Sequence, residues 1–295
     1  MKLLLPRVRA VFLCAVVFFV AAFATGGVMG AAPESAAAPV TMPLLLMLHG
    51  RIEQGAMVVG HTTPGASVRV GQRTLTVAPD GTFVFGLDRD APKHVQLVVA
   101  ARDGATMSTT LKVATRKYRI QRVKGISERI MNPTPEDLVR IAAENAQVAR
   151  ARARDDDRLD FLQPFIWPAA GPITGVFGSQ RYYNGVPKRP HYGVDMGVPV
   201  GTPVRAPAGG MVTLAHPDMF YSGGTLIIDH GHGVSSTLMH LSEVLVKEGD
   251  RVEQGQQVAR SGASGRVSGP HLDWRMNWFG EHIDAQLLVA RQVVE

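Results

Sequence analysis

The chain has 295 residues, of which 45% are hydrophobic and 19% are charged, and its formal net charge is +6. This balance excludes an intrinsically disordered chain, and the length allows two domains with a core each. The basic charge favours anionic surroundings such as cell-wall polymer or lipid headgroups. No dense Lys/Arg run is interleaved with aromatic residues, which argues against nucleic acid as a partner.

The amino terminus has the pattern of a secretory signal. Arg7 and Arg9 precede an apolar run over residues 11–24, and small residues follow. We therefore predict residues 1–32 to be a signal peptide, which would export the protein to the periplasm or cell envelope. An uncleaved membrane anchor is the alternative, because the apolar run can be extended to about 20 residues, roughly one bilayer span.

Cys14, the only cysteine, lies inside that apolar run. The exported part would contain no disulfide, and a metal site in it must use histidines and carboxylates.

After a predicted tether over residues 33–43, residues 44–115 have the pattern of a small antiparallel β-sandwich. Short β-branched runs alternate with Gly, Pro and Asp turns. The expected strands cover 57–59, 67–70, 74–77, 82–85 and 95–100. The stretch 60–68, followed by Asp80-Gly81-Thr82-Phe83, resembles bacterial immunoglobulin-like modules, which implies a spacer or binding role.

Residues 116–160 are predicted to be a basic patch followed by a helical connector. Lys117 to Lys124 indicates a solvated edge, and Thr134 and Pro135 form a strong helix start. The expected apolar stripe is Leu138, Ile141, Ala142 and Val148 or Ala149. The charged run 150–158 is expected to be exposed. The connector could also lie across a groove of the next domain and regulate it.

Residues 161–295 are predicted to form a largely antiparallel, all-β domain, since glycines are dense and no long helix fits. The expected strands are 173–177, 203–206, 210–215, 225–229, 236–241, 257–260 and 271–278. On the last of these strands, His271 and Asp273 would project from one face while Leu272 points into the core. Such a pair can bind a metal or carry protons, although an ordinary hydrogen-bonded histidine is the simpler interpretation.

Two further histidines are candidates for the same chemistry. His191 and Asp195 would be about 13 Å apart in a straight strand, so they can share a metal only if the chain bends, most easily at Gly193. An ordinary loop is the alternative. His240 lies in an apolar run, where a buried histidine needs a polar partner.

Taken together, these residues resemble the lysostaphin/LytM-type zinc metallopeptidases, which cut cell-wall peptides. The resemblance covers residues 161 to 292. The matching segments, in the order of the family, are 165–168, 175–178, 191–195, 197–204, 206–209, 229–233, 240–242, 249–256, 261–265 and 269–271.

The resemblance implies one Zn²⁺ per chain, with His191, Asp195 and Asp273 as metal ligands and His240 and His271 as catalytic residues. The two histidines would act as general base and as stabilisers of the tetrahedral intermediate.

Two departures from the family weaken this assignment. The last motif of the family is His-x-His, whereas here the second position is Asp273. A His/Asp/Asp site would make Zn²⁺ a weaker Lewis acid and could prefer Mn²⁺. The family also tends to have Tyr at the position of Leu238.

Other residues could compensate for these departures. Tyr182 or Tyr183 could donate to the oxyanion, and either could equally be an exposed aromatic residue. His230 or His232 could supply the missing imidazole, although these histidines beside glycines more simply form a turn.

Three functions follow from these considerations. The first is an exported metalloendopeptidase that hydrolyses stem or cross-link peptides of peptidoglycan. The second is a metal-free module that binds wall peptide or activates a cell-wall amidase, its partner enzyme. The third is a structural envelope protein in which the sandwich anchors to wall or membrane and the site is incidental. For the first two functions, the membrane would be a partner only through an uncleaved amino terminus.

Overall fold

The computed structural model of the chain describes residues 44–124 and 132–290. The predicted signal peptide and tether lie outside the described residues, as do residues 125–131. Within the described ranges, no helix combines the length and the apolar composition that a membrane crossing needs.

The described part is mainly β, which confirms the predicted fold class. Its amino-terminal strands are β1 (Leu46–His49), β2 (Met57–Thr62), β3 (Ser67–Val70), β4 (Arg73–Leu75), β5 (Thr82–Gly86), β6 (His94–Ala100), β7 (Thr106–Lys112) and β8 (Ile120–Val123). They form two antiparallel sheets, β1-β2-β5 and β4-β3-β6-β7, while β8 pairs elsewhere. Two such sheets suit the predicted sandwich, and its immunoglobulin-like character stays a prediction.

The helix α1 (Pro135–Arg152) begins at the predicted cap. The Thr134 side chain accepts a hydrogen bond from Asp137 N, and the Asp137 carboxylate accepts one from Thr134 N, which closes a capping box. The helix is shorter than the predicted connector. A 3₁₀ turn follows at Asp160–Leu162.

The predicted apolar stripe of α1 is confirmed only in part, since Ile141 and Val148 are half-buried whereas Leu138 and Ala142 are exposed. Leu138 is 54% exposed, whereas the buried residues of the helix are Asp137, Glu144 and Ala151. The reason is a tertiary contact, since Glu144 accepts hydrogen bonds from Arg140 and from the backbone N of Phe220, a turn residue distant in sequence.

The carboxyl-terminal strands are β9 (Ile173–Gly175), β10 (Gln180–Tyr183), β11 (Val186–Pro187), β12 (Val194–Met196), β13 (Pro203–Arg205), β14 (Gly210–Met219), β15 (Gly223–Gly231), β16 (Val234–Val244), β17 (Arg251–Val252), β18 (Gln257–Ser261), β19 (Leu272–Trp278) and β20 (Glu281–Ile283). A second 3₁₀ turn covers Ala285–Leu287. The main sheet has the order β17-β14-β15-β16-β19-β12-β9, with β18 and β20 pairing on β16 and β19. Its ladders are antiparallel, as predicted.

The basic segment 117–124 is more than a solvated edge. Its strand β8 pairs in parallel with β10, so backbone from the region after the first sheets extends a sheet of the second region. Hydrophobic side chains from both regions belong to one continuous buried cluster, which includes Val58, Phe85 and Trp274. The site described next lies at β12, β16 and β19.

Candidate metal centre and active site

Two acidic side chains lie opposite each other in the main sheet. In the antiparallel ladder of β12 and β19, Asp195 is the partner of Asp273. Both residues are buried, at 8% and 1% exposure. Like charges at directly opposed positions destabilise a sheet, and buried charges need partners. This pair therefore requires positive charge nearby.

Each of these two carboxylates accepts a hydrogen bond from an arginine. Arg181 Nη2 donates to Asp195 Oδ2 over 3.1 Å, and Arg275 Nη2 donates to Asp273 Oδ2 over 2.8 Å. Burial alone would raise the pKa of Asp273, but the charge and hydrogen bond of Arg275, together with the nearby His191 and His240, hold that pKa well below its usual range. Asp273 is thus ionised at neutral pH.

His191 completes a compact group with the two carboxylates. Its Nε2 lies 3.1 Å from Asp195 Oδ1. One ligand atom from each of His191, Asp195 and Asp273 can be chosen so that all three lie within 4.8 Å of one another. Both ring nitrogens of His191 and Asp195 Oδ1 are buried and make no hydrogen bond with the described residues. Buried polar atoms without partners, around two negative charges, fit a divalent cation.

Two glycines allow the carboxylates to approach the backbone. A Cβ on Gly193 would lie 2.1 Å from Asp273 Oδ1, and a Cβ on Gly175 would lie 2.1 Å from Asp195 Oδ2. Gly193 was expected to supply a bend through its conformational freedom. Its φ is not positive, so what this position requires is the absence of a side chain.

His240 and His271 lie beside these three residues, and the Nδ1 atom of each ring is hydrogen-bonded to a backbone carbonyl. His240 Nδ1 is 2.9 Å from Ser264 O, and His271 Nδ1 is 2.8 Å from Gly269 O. Since a carbonyl only accepts, each Nδ1 carries the proton, and in a neutral ring Nε2 is then a free acceptor. The ring centroids are 4.8 Å apart, and His271 Nε2 lies 3.9 Å from Asp195 Oδ1.

His240 also has an unusual backbone. Its φ is +63°, a conformation that costs about 1–3 kcal/mol for a non-glycine residue and clusters at functional sites. Burial lowers the pKa of His240 to about 4, so the ring is neutral at pH 7 in this structure and can accept a proton.

Tyr182 and Tyr183, the two candidates for donating to the oxyanion, lie in different surroundings. Tyr183 is buried, and its hydroxyl accepts from Arg181 Nη1 over 3.4 Å, which places it at the edge of the site. Tyr182 instead lies under the guanidinium of Arg122. Leu238 is a fully buried core residue.

Neither His230 nor His232 joins the group of metal-ligand candidates found among the described residues. His230 is a core histidine, with Nδ1 bonded to Gly209 O and Nε2 to Ser236 Oγ, each over 2.7 Å. His232 lies in the β15–β16 turn with φ +48° and packs against Phe161. The idea that one of them supplies a missing imidazole is wrong.

The sequence interpretation overlooked the two arginines. Arg275 follows Asp273 by two residues on a strand, so the period-2 rule places both on one face and could have revealed the pair. Nothing in the sequence could have indicated Arg181, because its contact with Asp195 depends on the position of the β10–β11 hairpin. The run 150–158 was expected to be exposed, yet Arg158 pairs with the buried Asp229.

Comparison with known proteins supports the resemblance. Residues 189–285 match peptidase family M23, and this range contains His191, Asp195, His240, His271 and Asp273. This part of the chain belongs to peptidase family M23. The M23 domain therefore includes both opposed carboxylates and the three histidines around them.

Two relatives and one solved structure are similar to this chain. The chain is 39% identical over 221 residues to the peptidoglycan DD-endopeptidase ShyA of Vibrio cholerae, covering 70% of this chain and 50% of that protein. It is 38% identical over 98 residues to ShyB of the same organism, covering 32% of this chain and 22% of that protein. The chain thus spans about half or less of these relatives.

A crystal structure of a peptidase M23 from Pseudomonas aeruginosa superposes with a TM-score of 0.65 at 28% identity. The match covers 81% of this chain and 96% of that one. The similarity therefore extends beyond the M23 domain into the amino-terminal sheets.

Proposed function

We propose that the protein is a metal-dependent endopeptidase that hydrolyses peptide bonds in the stem or cross-link peptides of peptidoglycan. The observation that carries this proposal is the buried group of His191, Asp195 and Asp273 beside two further histidines. Both ring nitrogens of His191 and one carboxylate oxygen of Asp195 make no hydrogen bond with the described residues. Relatives named peptidoglycan DD-endopeptidase support the substrate class.

In this proposal His191, Asp195 and Asp273 hold one metal ion, Zn²⁺, with Mn²⁺ as the alternative for a site with two carboxylates. When bound, such an ion polarises a peptide carbonyl and makes water more acidic. Arg181 and Arg275 orient the two ligating carboxylates from behind, the role that hydrogen-bonded partners of metal ligands usually have.

His240 and His271 would transfer protons. The Nδ1–H of His240 is fixed on Ser264 O and that of His271 on Gly269 O. Each Nε2 is thereby kept as an acceptor. One ring would take the proton of the attacking water on its Nε2 and then donate the same proton to the leaving amine. The other ring, after it takes a proton from solvent on Nε2, would donate a hydrogen bond to the developing oxyanion.

We also propose that the protein is exported to the periplasm or cell envelope. The support is the amino-terminal pattern of Arg7, Arg9 and the apolar run after them. Peptidoglycan is then accessible to the site.

The decisive experiment combines metal content with peptide cleavage. The purified chain is supplied with zinc, its metal is measured, and peptidoglycan digestion is followed with and without a chelator. About one zinc per chain, lost in His191→Ala and Asp273→Ala, together with digestion that the chelator blocks, is the expected result. As a matched control, Asp103→Asn removes a carboxylate from an exposed turn and should change neither readout.

One observation favours a second function. The ion pair of Arg275 with Asp273 neutralises the unusual ligand position and could keep it from a metal. The domain would then bind wall peptide, or activate a cell-wall amidase, without metal. A chain that takes up no zinc yet binds peptidoglycan in a pull-down would support this alternative and exclude the peptidase.

A further inference from the structure

The M23 domain has a guanidinium without a carboxylate partner next to the site. Two of the arginines there are accounted for, since Arg181 binds Asp195 and Arg275 binds Asp273. The side chain of Arg266 makes no ion pair or hydrogen bond with any residue that the structure describes. It is half-buried, so solvent only partly compensates its charge.

Arg266 is fixed between two aromatic rings. Its guanidinium carbon lies 4.6 Å from the ring centroid of Tyr221 and 5.3 Å from that of Tyr183. Its backbone N donates to Tyr221 O over 2.8 Å. Cation–π contacts of this kind hold the planar group without occupying its N–H donors. The donors are therefore available to a ligand.

Two short chains of contacts connect Arg266 with the catalytic candidates. Ser264, two residues earlier in the same loop, accepts the hydrogen bond of His240 Nδ1. On the other side, the Tyr183 hydroxyl binds Arg181, whose second nitrogen binds Asp195. The loop itself, residues 262–271, ends at His271. Arg266 therefore borders the same site.

The electrostatics of this position favour an anion. Burial, and then repulsion from Arg275 and Arg181, lowers the pKa of Arg266, but an arginine remains charged at neutral pH. A half-buried cation with free donors and like charges nearby is stabilised when a carboxylate binds it. The side chain of Arg152, which comes from α1, differs from that of Arg266 because it donates a hydrogen bond to Thr237.

We propose that Arg266 determines substrate specificity by binding a free carboxylate of the peptide close to the bond that is cut. This rests on the proposed function, since it assigns the substrate class of the same site. The planar fork of a guanidinium matches a carboxylate with two parallel hydrogen bonds, which a neutral amide cannot replace. Peptides with a free carboxyl group are the preferred ligands, and amidated peptides are poor ones.

The test compares two probes that differ only in charge. A fluorescein-labelled peptide ending in D-alanyl-D-alanine is made with a free terminal carboxylate and with a terminal carboxamide. Fluorescence anisotropy gives the Kd of each for the full chain, first with chelator and then with zinc, and cleavage is followed in the second case. The measurements are repeated on Arg266→Gln, Arg266→Lys and Arg205→Gln, the last removing an exposed arginine elsewhere in the domain.

The wild type should bind the carboxylate about tenfold or more tightly than the amide, as expected for charge-assisted hydrogen bonds. Arg266→Gln should remove this preference, Arg266→Lys should keep part of it, and Arg205→Gln should keep all of it. Equal binding of the two peptides by the wild type, no binding of either, or an intact preference in Arg266→Gln overturns the proposal. A preference that persists without any cleavage refutes the peptidase function alone.

Discussion

Asp195 and Asp273 lie directly opposite each other on neighbouring antiparallel strands, both buried and each bound by its own arginine. Such a pair is unfavourable in a sheet unless cations compensate it. The arginines supply two positive charges, and His191 Nδ1 and Nε2 and Asp195 Oδ1 make no hydrogen bond with the described residues. Metal binding and stability should therefore be coupled in this domain.

Zinc should raise the melting temperature of the full chain. A ligand at 100 times its Kd stabilises the folded state by about 2.7 kcal/mol, which corresponds to about 5–10 °C for a protein of this size. Differential scanning calorimetry with zinc and with chelator measures the shift. The shift should vanish in Asp195→Asn, and an equal shift in that variant would show that zinc acts elsewhere.

Gly193→Ala should reduce metal affinity. The new Cβ would lie 2.1 Å from Asp273 Oδ1, so this carboxylate must move. Competition with a chromophoric chelator measures the zinc affinity, which should fall by at least about tenfold, the lower end for disturbed ligand positioning. Gly280→Ala is the matched control, since a Cβ at that position would meet no atom within 4 Å and its φ is not positive. Unchanged affinity in Gly193→Ala would contradict this account.

Arg152→Met should stabilise the fold. The Arg152 guanidinium has Nε buried without a partner and only a hydrogen bond to Thr237. Burial, followed by repulsion from Arg275, lowers its pKa to about 10, so the folded state disfavours the charge at every pH below that value. Replacing such a group by an apolar one of similar size should raise the free energy of unfolding by about 1 kcal/mol.

Urea unfolding at pH 7 measures the effect of Arg152→Met. On the same helix, Arg150→Met removes an exposed charge and should change the free energy of unfolding by less than about 0.5 kcal/mol. A clear loss of stability in Arg152→Met would instead mean that the hydrogen bond to Thr237 anchors α1 to the sheet.

His230 should make the fold sensitive to acid. Burial lowers its pKa to about 4, below the value of about 6.5 in an unfolded chain. Between these values the unfolded state binds a proton that the folded state does not, so this contribution to stability is complete above pH 6.5 and declines as the pH falls towards 4. From pH 7 to pH 5 the loss should be about 2 kcal/mol.

The His230 contribution is isolated by difference, because Asp229 acts in the opposite direction. Burial raises the pKa of Asp229 to about 6, and a raised carboxyl pKa favours folding at low pH. Urea unfolding of the wild type and of His230→Gln at pH 7 and pH 5 should show the smaller acid-induced loss in the variant. Identical losses in the two proteins would contradict the assignment.

Much of the architecture could be predicted because local patterns specify it. The short apolar runs of β3, β5 and β18, and the Thr134-Pro135 start of α1, are where the sequence indicates them. The helix face was predicted wrongly at Leu138, since Glu144 is buried instead and accepts a hydrogen bond from Phe220 N in the turn between β14 and β15. Local propensity carries no information about such contacts.

The sequence by itself determined a mainly β protein, because strand periodicity is a local feature. It also predicted which residues hold a metal, through short motifs around His191, Asp195, His240 and His271 that resemble a known family. Tertiary structure alone decided that Asp195 opposes Asp273, that His230 belongs to the core, and that Arg181 and Arg266 border the site. These facts depend on strand register and on the positions of loops distant in sequence. Ladder pairing between β12 and β19 joins residues almost 80 positions apart, and no local pattern encodes that distance.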